Sequence, residues 1–79
     1  MSQVAIDKTI DARGTYCPGP LMELIKTLKT APLQSVIEVW SSDSGSSTDI
    51  PVWVKKAGHE FLYTIEENGY WRIAVRKAR

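Results

Sequence analysis

Apolar positions along this chain change period several times, and each change marks an element. Between residues 4 and 12, Val4, Ile6, Ile10 and Ala12 fall on one side of a loose alternation, with Lys8 as the exception. A period of two predicts a first strand ending near "DARG", where Gly14 permits a turn. From Pro18 to Lys29 the period becomes helical: Leu21, Ile25 and Leu28 form one stripe, Met22 and Leu24 flank it, and Glu23, Lys26, Thr27 and Lys29 cover the opposite face. "TAP" at 30–32 ends that helix, because the residue before a proline avoids the helical region.

"SVIEVW" at 35–40 is rich in β-branched residues and predicts a second strand. "SSDSGSS" then reads as a loop ending in a helix cap rather than as a linker between domains. Ser46 or Ser47 can accept a first-turn amide, Asp49 suits the positive end of a helix, and Pro51 tolerates an early helical position. Ile50, Trp53, Val54 and Ala57 repeat at helical spacing until Gly58, which predicts a second amphipathic helix.

The last twenty or so residues predict a hairpin. A three-residue loop, Glu67-Asn68-Gly69, would pair Ile65 with Trp71, Tyr63 with Ile73 and Phe61 with Val75, gathering apolar residues on one face. A two-residue Asn68-Gly69 turn would instead set Ile65 against Arg72 and Tyr63 against Ala74, so the longer loop is expected. Leu62, Thr64, Glu66, Tyr70, Arg72 and Ala74 should then point away from the core.

The order βαβαββ predicts an α+β, two-layer sandwich: a four-stranded mixed sheet with two helices on one face, forming one domain over residues 1–79. If the first two strands are parallel, right-handed crossovers place both helices on the same side. Both helix N-termini then lie beyond the carboxyl ends of those strands, where α/β proteins tend to place their chemistry. Cys17 and the "SDSGSSTD" loop should therefore be neighbours.

Composition narrows the classes. Ten basic residues against nine acidic ones give a net charge of +1, which lacks the basic excess typical of nucleic-acid binding. The N-terminus has neither the basic nor the long apolar region of a signal peptide, and no apolar run is long enough to span a bilayer. A cytoplasmic protein without a membrane partner, monomeric when free, is expected. One cysteine excludes an internal disulfide, and one Cys with one His does not build a metal site, so neither metal nor cofactor is expected.

That single cysteine stands in "TYCPGP". Pro18 fits a first helical position and Pro20 is still within the first turn, so the prolines fix where the helix begins. A thiolate at such a start faces the positive end of the helix dipole, which favours its charged form. Gly19 adds no side chain beside the sulfur. The motif thus suits a rigid, activated thiol, although a lone cysteine can equally be a small buried hydrophobe.

"DARGTYCPGP" resembles the signature of the TusA/SirA family of small sulfur-carrier proteins, whose core motif is Cys-Pro-x-Pro at a helix start. "TDIP" at 48–51, "GHEF" at 58–61 and the closing "YWRIAVRK" are similar to that family as well, so the resemblance runs from about Thr9 to Lys77. It implies a βαβαββ sandwich and a sulfurtransferase-type carrier. Cys17 would accept sulfur as a persulfide from a donor protein of the cysteine desulfurase or rhodanese kind and pass it to a DsrE-like or similar acceptor. Pro18 and Pro20 carry over as shaping positions, Asp11 and Arg13 as the lead-in, and Asp43 and Asp49 as the start and the acidic position of the second segment. Some members serving transfer RNA thiolation have glutamate where this chain has Gly19. Transfer RNA thiolation, cofactor synthesis and sulfur oxidation are all compatible pathways.

Other residues have plainer readings beside functional ones. Arg13 could steady a persulfide anion or be an exposed loop arginine, while Asp43 and Asp49 could orient a partner, bond to loop amides or be ordinary caps, capping being the expected role of Asp49. His59 reads as a surface residue, Trp53 and Trp71 as core, and Trp40 as core or partner surface. The "RKAR" tail could touch transfer RNA or an acidic partner, or simply be solvated. Besides a sulfur carrier, a noncatalytic interaction or regulatory module on the same scaffold remains a reading of a different class.

Overall fold

The computed structural model describes residues 6–16 and 19–79. Its elements are β1 (Lys8–Asp11), α1 (Gly19–Thr30), β2 (Val36–Ser41), α2 (Ser44–Ala57), β3 (Glu60–Glu67) and β4 (Tyr70–Arg76). This is the expected βαβαββ order. The sheet runs β1-β2-β4-β3, with β1 parallel to β2 and both other pairings antiparallel. Leu24 and Leu28 of α1 and Ile50 and Val54 of α2 pack on Ile10, Ile37, Val39, Ile73 and Val75, so both helices cover one face of the sheet. Trp53, Phe61 and Trp71 flank this core as partly buried neighbours. Each fully buried Leu, Ile or Val contributes about 1.5–3 kcal/mol relative to exposure.

The sheet selects a different line on α1 from the expected stripe. Pro20, Leu24 and Leu28 are buried, Leu21 and Ile25 only half-buried, and Met22 is 51% exposed. Residues 20, 24 and 28 lie one above another at i, i+4 spacing. The apolar arc is wider than the contact, so its centre is set by the neighbouring elements.

α2 begins earlier than expected, and the N-cap is Asp43 rather than Ser46 or Ser47. The Asp43 carboxylate accepts from the Ser46 amide at 3.2 Å and the Ser46 hydroxyl at 3.1 Å, while its own amide donates to Ser41 Oγ at 3.1 Å. A carboxylate reaching a first-turn amide is as good a cap as a serine hydroxyl, so the serines become the first turn instead. Asp49 and Pro51 consequently lie inside the helix. At the other end Gly58 adopts φ 85° and closes the helix as expected.

The hairpin register also departs from expectation. Glu67 pairs with Tyr70, Ile65 with Arg72, Tyr63 with Ala74 and Thr64 with Ile73, which leaves Asn68-Gly69 as the turn. A register shift between Phe61 and Tyr63 then restores the expected pairing of Phe61 with Val75. Tyr70, Arg72 and Ala74 face away from the helices as expected, but their partners on β3 are Glu67, Ile65 and Tyr63 rather than Leu62, Thr64 and Glu66.

The reason lies on that outer face. Glu38, only 2% exposed, pairs with Ala74, which pairs in turn with Tyr63. Its carboxylate accepts from Arg72 through Nε and Nη2 at 3.0 Å each, from Trp40 Nε1 at 2.7 Å and from the Tyr63 hydroxyl. The Tyr63–Glu38 bond joins β3 to β2 across β4, and the small Ala74 beneath it is fully buried. Anchoring Tyr63 here outweighs hiding Ile65, which stays 39% exposed. Matching faces by hydrophobicity alone misses a polar network centred on a buried carboxylate.

Burial opposes the charge on Glu38, but the bonds from Arg72, Tyr63 and Trp40 outweigh it and hold the carboxyl below its ordinary range. Burial, then the bond to Glu38, pushes the Tyr63 hydroxyl upward. A depressed carboxylate contributes stability that is fully present above its unfolded value, near 4.5, and lost as pH falls through the folded one. Glu38→Ala should lower unfolding free energy by about 1–3 kcal/mol in urea titration at neutral pH, since it strands these donors. The Glu38→Ala difference should shrink on acidification. A difference that stayed constant down to acid unfolding would show that the carboxylate's charge is not what matters.

Candidate functional site

β1 and β2 are parallel and end at Asp11 and Ser41, so the segments that follow them leave the sheet at one edge. The first loop turns at once. The Ala12 carbonyl accepts the Thr15 amide at 3.3 Å and the Thr15 hydroxyl at 2.7 Å, and Gly14, at φ 90°, supplies the positive φ. The Gly14 amide donates to Ser42 Oγ at 2.9 Å, tying this loop to the residue just before the α2 cap. That bond brings residue 14 to the start of the "SDSGSSTD" segment, whereas Cys17, the neighbour expected there, lies outside the described residues.

Cys17 and Pro18, on which the expected placement of the thiol at the helix start falls, lie outside the described residues. Their neighbours are described. The Gly19 amide donates to the Tyr16 carbonyl at 2.7 Å, Tyr16 is 78% exposed, and Pro20 is buried as the second residue of α1. The backbone at Gly19 does not require glycine. An added Cβ would meet Thr15 only at 3.4 Å.

Arg13 is held on the outer face of the sheet. Its Nε and Nη2 donate to the two oxygens of Asp11 at 2.8 Å each, and its guanidinium lies 4.9 Å from the Trp40 ring centroid and 5.0 Å from that of Tyr70. Arg13 is an exposed turn residue, one of its two expected readings, and its side chain also clamps β1 over the aromatic pair. The same bonds from Arg13, side chain before backbone, lower the Asp11 carboxyl to about 2. Trp40 is accordingly a half-buried outer-face residue whose ring centroid lies 5.7 Å from that of Tyr70, tilted by 50°.

Arg13, Gly19, Pro20 and Asp43 thus belong to one sheet edge, although Arg13 turns to the face opposite the helices. Asp49 is exposed on α2, about 9 Å along the helix from Asp43. The residue that sequence reading missed is Glu38. Its signal was a lone acid inside an apolar strand, "VIEVW", answered by a lone base inside "YWRIAV".

The opposite end of the domain holds the tail. Lys77 pairs by backbone with Gln34 and Ser35 and its Nζ donates to the Ala31 carbonyl at 2.7 Å. The Ala78 amide donates to His59 Nδ1 at 3.1 Å. The tail is therefore folded onto the domain. Burial, reinforced by the charges of Lys77 and Arg79, lowers the His59 imidazole and favours its neutral form. Among the described residues no helix is long and apolar enough to cross a membrane.

A family model described as "Sulfurtransferase TusA" matches residues 8–77. A putative sulfur carrier protein of Archaeoglobus fulgidus is 60% identical over 70 residues, covering 89% of this chain and 96% of the relative. The sulfur carrier protein TusA of Allochromatium vinosum is 32% identical over 72 residues, covering 91% and 95% respectively. The crystal structure of a SirA-like protein from Desulfitobacterium hafniense superposes with a TM-score of 0.79 at 23% identity, over 91% of this chain and 99% of that one, which shows the shared fold.

Two outcomes are expected at this edge. Asp43→Ala should cost about 1 kcal/mol in urea unfolding and Asp43→Asn much less, because asparagine can still cap; equal effects would remove the cap from the account. The Asp11 carboxyl should titrate near 2 in carbon-detected NMR. Because the folded value is depressed from 3.8, the clamp persists above that value and is released as pH falls towards 2. An ordinary titration at Asp11 would mean that the Arg13 clamp does not form.

Proposed function

We propose, from the premise that this chain belongs to the TusA family of sulfurtransferases, that it is a sulfur carrier whose Cys17 thiolate takes up one sulfur atom as a persulfide. What carries the reading is the position of the sole cysteine, two residues ahead of Gly19, the first described residue of α1, and inside the span matched by the family. The preceding loop is tied down by Ala12 and Ser42, and the following turn by buried Pro20. A sulfur presented between two such anchors loses little conformational entropy when a partner docks. The positive end of α1 favours a thiolate, the nucleophilic form.

Transfer is then an exchange of S–S bonds. The Cys17 thiolate attacks the terminal sulfur of a donor protein's persulfide, a new S–S bond forms at Cys17, and the donor leaves as its cysteine thiolate. In the second step an acceptor's cysteine thiolate attacks the terminal sulfur now on Cys17, which departs as thiolate. Each S–S bond broken is replaced by one formed, so no outside oxidant or reductant is consumed. This chain's only cysteine cannot resolve its own persulfide within one chain, which keeps the cargo available. The donor in this reading is a cysteine desulfurase or rhodanese-like protein and the acceptor a DsrE-like or similar protein, in the cytoplasm. Pro18 and Pro20 shape the turn, while Arg13 acts indirectly by clamping the strand that leads to it. The scaffold works as one domain, monomeric between encounters.

Incubation with a cysteine desulfurase and cysteine, followed by intact-mass measurement, should show a reducible adduct of one sulfur atom on the wild type and none on Cys17→Ser. The variant should unfold within about 0.5 kcal/mol of the wild type, since an accessible serine needs no buried partner. A wild type that takes up no sulfur, or a serine variant that still does, would overturn the assignment and favour a noncatalytic interaction module.

A further inference from the structure

At the end of the domain opposite the start of α1, a recess of about 320 Å³ opens between the two helices and the tail. Ile25, Leu28 and Trp53 supply apolar lining, with Lys29, His59, Lys77 and Arg79 around them. None of Lys29, Lys77 or Arg79 forms a salt bridge among the described residues, and nearby Glu60 is engaged by Arg76 at 2.9 Å. Lys55 and Lys56 add further positive charge in the last turn of α2. The whole chain carries a net charge of only +1, so this end is a local concentration rather than a general excess.

Helix dipoles explain part of the arrangement. Lys29 sits in the last turn of α1, and Lys77 donates to the Ala31 carbonyl just beyond it. They do not explain Arg79, which has crossed to lie against Gly58. A Cβ on Gly58 would come within 2.7 Å of Arg79 Nη1, a contact that the end of the arginine side chain relieves by shifting. Nor do they explain why the cations border a half-buried tryptophan, whose ring centroid is 5.8 Å from that of His59. The lowered His59 imidazole, displaced by burial and then by Lys77 and Arg79, reports the same positive field and leaves the ring neutral.

We propose that this recess is a second binding site, separate from the Cys17 edge, for a small organic anion with a flat apolar body, such as an aromatic carboxylate or phosphate monoester. The size matches ligand pockets at their small end. The apolar body would rest against Trp53, Ile25 and Leu28, and the anionic head would face Lys29 and Arg79. Lys77 is engaged at Ala31 and serves mainly to fix the tail that carries Arg79. A purely inorganic anion would use only the charges, and a neutral aromatic only the lining.

The test is a titration on the Cys17→Ser chain, so that its outcome is independent of sulfur carriage. Naphthalene-2-carboxylate, the uncharged 2-naphthalenemethanol and inorganic phosphate are added separately while backbone amides are followed by NMR. The carboxylate should shift Lys29, Gly58, His59, Lys77 and Arg79 saturably, with a dissociation constant of about 1 mM or below. The alcohol and phosphate should each bind about tenfold more weakly, because screened surface charges contribute modestly. Lys29→Gln combined with Arg79→Gln should weaken the carboxylate by a similar factor without changing the thermal midpoint. Several results would overturn the proposal. These are no saturation by about 10 mM, shifts centred elsewhere, equal binding of alcohol or phosphate, or an unaltered carboxylate affinity in the double variant.

Discussion

The parallel pairing of β1 with β2 is the constraint from which the rest follows. Parallel neighbours must be joined by a crossover, and α1 provides it. Both strands then release the chain at the same edge, so the loop carrying "TYCPGP" and the loop capped by Asp43 leave side by side and are joined by the Gly14–Ser42 bond. Antiparallel pairing would have sent them to opposite ends. The carrier role proposed for Cys17 draws on the described residues on either side of it, Tyr16 and Gly19, which belong to this edge.

The two faces of the sheet are held by different physics. Under the helices, aliphatic side chains from β1, β2, β4, α1 and α2 form a continuous apolar core. On the other face, the Glu38 carboxylate gathers donors from its own strand and from β3 and β4, and Arg13 clamps the adjacent Trp40 and Tyr70. A chain of this size has little apolar surface to bury on both sides. A satisfied polar network fixes strand register on the open face without requiring a third layer. It also explains why the hairpin accepts an exposed Ile65 and a register shift beside Leu62.

The helical layer likewise has two unlike ends. One is the helix-start edge, where Gly19 and Asp43 mark the beginnings of α1 and α2. The other collects helix C-termini, the folded tail and the cations Lys29, Lys77 and Arg79 around Trp53. α1 separates them by about 18 Å. A small ligand in the recess therefore does not reach the helix-start edge.

Sequence periodicity alone determined the order of elements, the two-layer arrangement and the end of α2, because spacing and a left-handed glycine at position 58 are local properties. The prolines of "TYCPGP" likewise marked the start of α1 near Gly19, since proline geometry acts within a few residues. The line of α1 that is buried, the choice of Asp43 as cap and the hairpin register were decided only in three dimensions. In each case several local solutions were nearly equivalent, and a distant partner chose between them. Sheet contacts selected Leu24, the Ser41 hydroxyl steadied Asp43, and Glu38 on β2 captured Tyr63 from β3. The role of Arg13 was hidden for the same reason. Asp11 is its neighbour in sequence, but Tyr70 reaches it only once β4 has paired beside β2.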